Sequence, residues 1–216
     1  DLIVSEWMGS MLLYESMLHS VINARDRFLS PNGIMLPAHC DMFIVPLDLT
    51  EYISEHVGFW DNVFDVKMSV LQEKARSEFF STPVFTRTIK ERELLSEEKI
   101  FYSFETKTVT EKDLDDILSV FDFEVEKDGD LHGFGCWFDV RFLKTVLSTN
   151  PKEPETHWKQ TTLVFDEISK VRKGDKINGV ISLSRSSLWG RHYEVIIKYW
   201  FGGNSNRHFQ KKFPLS

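Results

Sequence analysis

Cysteine is nearly missing from this 216-residue sequence, which holds only Cys40 and Cys136. Neither belongs to a CxxC pair and no secretory leader is visible, so a disulfide framework and a structural zinc site both lack support. A reducing cytoplasmic and nuclear setting is the expectation, with no metal site. A surplus of positive charge is missing too: 26 Lys and Arg face 33 Asp and Glu, a net charge of −7. Grip on nucleic-acid backbones rests on Lys and Arg that release counterions, so no direct nucleic-acid partner is expected and a basic protein partner suits the balance better. The same mild acidity also serves solubility. No apolar run approaches the roughly 18 to 20 residues of a membrane span, and no membrane partner is expected. Internal repeats and low-complexity tracts are lacking. The sole Gly-x-Gly, Gly133-Phe134-Gly135, sits in a β-like run with no following helix, which is the wrong context for a nucleotide-binding loop.

What is present is enough apolar material for a sizeable core, 42% hydrophobic and 13% aromatic, in one large domain or two small ones. Asp1 is followed at once by Leu2-Ile3-Val4, a run of the kind that fills a buried parallel strand, so the chain reads as a fragment cut just before that strand. Glu6-Trp7-Met8-Gly9-Ser10 reads as the loop after it. Tyr14, Met17, Leu18, Val21 and Ile22 then recur at helical spacing, with Arg25, Asp26 and Arg27 on the polar side. Ser30-Pro31-Asn32-Gly33 predicts a turn and Ile34-Met35-Leu36 a second short strand ending at Pro37, which gives residues 1–37 the β-α-β rhythm of an open α/β domain's tail.

From residue 38 to 216 the pattern changes to short β-rich runs: 42–45, 100–104, 133–140, 161–165, 179–183 and 193–201. Several alternate apolar with polar residues, the pattern of an antiparallel sandwich or barrel, with Lys173-Gly174-Asp175 and Gly202-Gly203-Asn204 as hairpin turns. Between Glu51 and Phe80 an apolar, mostly helical excursion intervenes, without a turn dipeptide until Thr82-Pro83. It either folds back on its own barrel or forms an arm that buries itself on another subunit. The stretch 148–155 reads as a loop delivering the chain to Thr156-His157-Trp158. The fold class that results is α+β, an α/β remnant followed by a mainly antiparallel β-domain.

The chemistry-bearing pattern is a pair of acids. Glu6 sits just past the carboxyl end of a strand, where open α/β sheets place their ligand sites. Glu15 follows nine residues later in what reads as the first helical turn, where the helix dipole favours negative charge. Trp7, Met8, Met11, Leu12 and Leu13 between them are mostly too apolar for an exposed loop, which suggests two carboxylates presented into a partly dry pocket. Taken one at a time, each acid reads equally as a solvated surface residue or a helix cap. Paired carboxylates also occur in glycoside hydrolysis, where they flank the scissile bond.

Ser5-Glu6-Trp7-Met8-Gly9 followed by Leu13-Tyr14-Glu15-Ser16-Met17-Leu18 resembles the double-glutamate loop of the protein arginine methyltransferases, and Thr156-His157-Trp158-Lys159-Gln160 resembles that family's second active-site loop. Phe59-Trp60-Asp61-Asn62-Val63 lies where the family has its dimerisation arm, and Leu131-His132-Gly133-Phe134 opens a family-like barrel strand. Phe79-Phe80-Ser81 and Leu188-Trp189-Gly190-Arg191-His192 are closest to the branch with an N-terminal SH3 module.

The resemblance implies methyl transfer from S-adenosylmethionine to arginine in protein substrates, with histones and RNA-binding proteins as candidates, by a homodimer. It implies Glu6 and Glu15 as the guanidinium grip, His157 as proton acceptor or positioning partner, and Trp158, Met8 and Trp7 at the substrate. Met17 and Ser20 would lie at the donor, and Met17 suits asymmetric dimethylation. The glycine-rich donor loop of the family has no counterpart in the sequence, so the chain alone is expected to be inactive. The alternative is a non-catalytic barrel and dimerisation module that binds protein.

Overall fold

The computed structural model describes residues 1–81, 84–202 and 208–215. The predicted turn residues Thr82, Pro83, Gly203 and Asn204 lie outside the described residues. At the amino-terminal end, β1 (Leu2–Val4) pairs in parallel with β2 (Ile34–Leu36) across the helix α1 (Met17–Phe28), the β-α-β unit that the hydrophobic pattern predicts. The strand is not buried as its composition suggested: Leu2 is 55% and Val4 62% exposed, because the described residues add no third strand and no covering layer.

α1 begins at Met17 instead of Tyr14. Glu15 and Ser16 adopt left-handed backbone, with φ of 79° and 53°, and a right-handed helix cannot run through them. Leu18, Val21 and Ile22 face the core as their spacing requires. Arg25, assigned by spacing to the polar side, is buried with them. Its Nη1 donates to the carbonyls of Thr106 and Val109 at 2.9 and 2.6 Å and its Nε to Asp26 at 2.8 Å, charge-assisted bonds that make burial of a guanidinium tolerable.

After Pro37 the chain builds β3 (His39–Leu47), β4 (Val84–Arg87), β5 (Lys99–Glu105), β6 (Asp116–Glu124), β7 (Gly129–Phe142), β8 (Thr145–Ser148), β9 (Gln160–Val171), β10 (Lys176–Arg185), β11 (Tyr193–Phe201) and β12 (His208–Leu215). One antiparallel sheet runs β4-β9-β7-β3-β5 with β8 folded back on β7, and the other runs β12-β11-β10-β6. Their free edges meet, β5 beside β6 and β12 beside β4. This gives the mainly antiparallel barrel expected. Inside it Phe121, Phe123, Phe134, Phe165, Tyr199 and Phe213 pack ring to ring, Phe134 at 5.3 Å from Phe121 and 5.6 Å from Tyr199.

Gly174 turns with φ 91°, and Asp175 N–H donates to the Arg172 carbonyl at 3.0 Å. The turn is as tight as predicted but is not a hairpin, since β9 and β10 belong to different sheets and the turn makes a barrel corner.

The 51–80 excursion divides into α2 (Thr50–His56), 3-10 turns at Gly58–Asp61 and Ser69–Leu71, and α3 (Gln72–Ser81). Its base folds back: Ile53 and Val57 join Val45, Leu47, Trp137 and Val164 in a second core on the barrel's outer face. Its tip does not. Phe64 is 92% exposed at a tight reversal where Val63 and Val66 bond to each other, and Val70, six residues on, is exposed as well.

Candidate active site

The loop between β1 and α1 separates its residues by character. Trp7, Met8, Met11, Leu12 and Leu13 all sink into the core, Trp7 to 3% exposure against the ring of Phe104. Gly9 and Leu12 exchange two backbone hydrogen bonds of 2.9 and 3.0 Å, which closes the loop on itself. A side chain at Gly9 would place its Cβ 1.9 Å from the Tyr14 carbonyl oxygen, so only glycine permits this closure.

Glu6 and Glu15 stand at the two ends of the buried segment and are both exposed, which corrects the expectation of a partly dry pocket. Glu15 lies before α1 rather than in its first turn, so the helix dipole is not what favours its charge. Trp7 and Met8, expected at the substrate, hold the loop from beneath.

The second loop meets the first through one directed bond. Trp158 Nε1–H donates to the Met8 carbonyl at 2.7 Å, and its ring lies edge-on to Phe138 with centroids 5.8 Å apart. His157 is exposed and lies against the Trp158 ring at 3.8 Å, its one ring contact among the described residues. The loop is anchored at its far end by Gln160, which is buried. Its Oε1 accepts from Ile89 N–H and its Nε2 donates to the Thr149 carbonyl, both at 2.8 Å. Thr156 Oγ1 is buried without a partner.

Met17 and Ser20, three residues apart on α1, share its exposed face next to Glu15. Both stand open to solvent there and enclose nothing. Between them His19 turns inward, its Nε2 3.2 Å from Asp115 Oδ1.

A third segment reaches the site that the motifs did not disclose, the 186–192 loop between β10 and β11. Glu15 N–H donates to the Arg191 carbonyl at 2.8 Å, Arg191 Nη2 lies 3.5 Å from Glu15 Oε2, and the rings of Tyr14 and His192 are 5.8 Å apart. The loop is cross-braced by Ser186 N–H on the His192 carbonyl at 2.9 Å and by Arg185 Nε on the Gly190 carbonyl at 2.8 Å. Arg185 Nη1 also reaches Asp115 Oδ1 at 3.2 Å, the oxygen that faces His19. In the sequence this stretch carries only a subfamily resemblance, and no spacing rule ties it to Glu15.

Comparison with known proteins bears on what the site belongs to. Residues 38–204 match the family described as the arginine methyltransferase oligomerization subdomain. Protein arginine N-methyltransferase 2 of Xenopus tropicalis is 39% identical over 209 residues, covering 94% of this chain and 48% of that protein. Its human counterpart is 36% identical over all of this chain and 52% of its own length. Protein arginine N-methyltransferase 6 of Xenopus tropicalis is 39% identical over 222 residues, all of this chain and 64% of that protein. The chain thus spans about half the length of the first two relatives.

Among solved structures, the Trypanosoma brucei PRMT1 enzyme-prozyme heterotetrameric complex with AdoHcy superimposes with a TM-score of 0.83 at 30% identity, over all of this chain and 68% of that one. Arabidopsis thaliana protein arginine methyltransferase 10 gives 0.81 at 26% identity, over all of this chain and 70% of its own. This chain belongs to the protein arginine methyltransferase family.

Proposed function

We propose that the protein transfers methyl groups from S-adenosylmethionine to guanidinium nitrogens of arginine in protein substrates, with Glu6 and Glu15 as the guanidinium grip. The observation that carries this reading is the hydrogen bond from Trp158 to the Met8 carbonyl, which joins the loop of the two acids to the loop of His157. Arginine keeps its positive charge at any physiological pH, and that delocalised charge makes its nitrogens poor nucleophiles. S-adenosylmethionine, when bound, supplies an electrophilic methyl group. Fork-like contacts from the two carboxylates orient the guanidinium and draw its positive charge toward the contacted nitrogens, which leaves electron density on the nitrogen that attacks. Beyond this the work of the residues is positioning. Trp158 walls the arginine with a face suited to a cation, Met8 and Trp7 support it, and His157 positions more than it accepts protons.

Residues 1–37 act as the end of the donor-binding domain and 38–216 as the barrel, with 51–80 as the dimerisation arm. Met17 and Ser20 touch the donor, and Met17 limits how a methylated product sits, in keeping with asymmetric dimethylation. The 216-residue chain is inactive alone in this reading, because those two side chains stand open on one helix face. Histones and RNA-binding proteins are the proposed substrates and a homodimer the proposed assembly. A reducing cytoplasmic and nuclear setting fits two cysteines that are both buried, with burial pushing their thiols well up.

In the full-length protein, Glu15→Gln is expected to abolish transfer to an arginine peptide while leaving donor affinity nearly intact. Turnover like that of the parent would refute the assigned role. A second reading, a non-catalytic protein-binding module, draws on the oligomerization-subdomain match over most of the chain. Turnover of an arginine peptide by the full-length protein separates the two; calorimetry of the 216-residue chain with S-adenosylhomocysteine tests the incomplete donor site, which absence of heat supports and micromolar binding contradicts.

A further inference from the structure

We propose that Arg191 is a built-in competitor for the substrate arginine, occupying Glu15 until a substrate guanidinium displaces it. This rests on the reading of Glu15 as part of the guanidinium grip. Arg191 presents to that carboxylate the same chemical group the site is built to hold, with Nη2 at 3.5 Å from Oε2. Its placement is not left to the side chain. The main-chain bond from Glu15 N–H to the Arg191 carbonyl, with the cross-braces from Ser186 and Arg185, fixes the Arg191 backbone beside the acid at a constant, high local concentration.

The guanidinium itself is loosely held. It is 70% exposed and makes no other ion pair among the described residues, so it is free to swing into solvent. A single exposed contact of this kind is weak, which suits a group that must leave at every turnover. While it stays, it offsets one of the two negative charges at the grip and opposes the arrival of a second cation. The barrel thereby sets how strongly a substrate must bind before Glu15 is released to it.

The test is steady-state methylation of an arginine peptide by the full-length protein. Arg191→Ala keeps the main-chain bond to Glu15 and removes only the competing charge. It is expected to lower the peptide KM about two- to fivefold, with kcat and the donor KM unmoved. Arg191→Lys, which restores the charge, is expected to return the KM toward that of the parent. Raising the salt concentration should shrink the gap between parent and Ala variant, because an exposed pair is screened. A peptide KM that is unchanged or higher in Arg191→Ala overturns the proposal, the higher value marking Arg191 as a substrate-positioning group instead. Failure of the underlying reading is separately visible, since it appears as transfer that survives Glu15→Gln whatever occupies position 191.

Discussion

Glu93 lies buried in the outer core of the barrel, ionisable and far from any catalytic role, and Arg87 is why it can be there. Arg87 Nη1 and Nη2 meet its two oxygens at 3.1 and 2.7 Å, Nε reaches Thr162 Oγ1 at 3.2 Å, and the guanidinium lies over the Tyr52 ring at 4.4 Å. Removing one partner strands a buried charge, so Glu93→Ala is expected to cost about 3–5 kcal/mol, a fall in melting temperature on the order of 10 °C by calorimetry. Replacing both partners by leucine or methionine should cost far less, because no charge is left unpaired. At the site, Trp158→Phe keeps the packing on Phe138 and loses the bond to Met8. Stability should fall by about 1 kcal/mol, while turnover of an arginine peptide by the full-length protein falls by roughly ten- to a hundredfold through misplacement. The acids and Trp158 were legible in the sequence because they stand in contiguous motifs. Arg25 and Arg191 were not, since the carbonyls and carboxylate they meet lie in other segments and leave no periodic trace.

At the scale of elements, the arm separates into an anchored base and an open tip, and the two should respond differently to mutation. Phe64→Ser with Val70→Ser removes apolar surface that no described residue covers. The pair is expected to leave the melting temperature of isolated subunits nearly unchanged and to convert full-length dimers to monomers in light scattering. An unaltered mass would remove the tip from the proposed interface. Element positions were readable where hydrophobic runs were dense, as in β7 and β11. β6 was missed although Ile117, Phe121 and Phe123 point inward, because Asp116, Asp122 and Glu124 interrupt the run on the outer face. The start of α1 was misplaced for a different reason. Two left-handed residues end the helical register, and neither Glu15 nor Ser16 announces that conformation as glycine would.

For the molecule as a whole, the ionisable groups set a direction for acid stability. Burial pushes His132 below its ordinary value, outweighing the Asp130 carbonyl and Asp48 that favour its charge. Burial would raise Asp41, Asp48 and Glu98, but hydrogen bonds prevail and hold all three below the usual carboxylate range: Ser103 and His39 at Asp41, Thr50 and Asp130 at Asp48, Glu98's own N–H and Lys152 at Glu98. Each of these four binds fewer protons folded than unfolded, so its stabilisation is present above the unfolded value and lost as pH falls. His39 has the opposite sign: burial is outweighed by Asp41 and Glu105, and its contribution is complete below 6.5 and lost as pH rises through its folded value. Asp139, raised by burial, gains on acidification and opposes the four. In urea titrations His132 is therefore expected to lower the unfolding free energy as pH falls below 6.5, the three carboxylates acting only below their unfolded values of 3.8 and 4.5. His132→Gln should flatten the upper part of the fall. An equally steep fall in the variant would exclude His132 as its source. The two-part architecture was legible from the change of period at Pro37, whereas the closure of two sheets at β5–β6 and β12–β4 was not, because edge pairing between distant strands follows from geometry that no local pattern encodes.

The bond from Trp158 to Met8 joins positions 150 residues apart. On a ribosome adding about 5–20 residues per second, the first glutamate loop waits roughly 8 to 30 seconds for its second half. During that interval Trp7, Met8, Met11, Leu12 and Leu13 have no barrel to sink into. The loop that carries Glu6 and Glu15 gains its contact with Arg191 later still, and until then its apolar residues form a sticky segment on the growing chain.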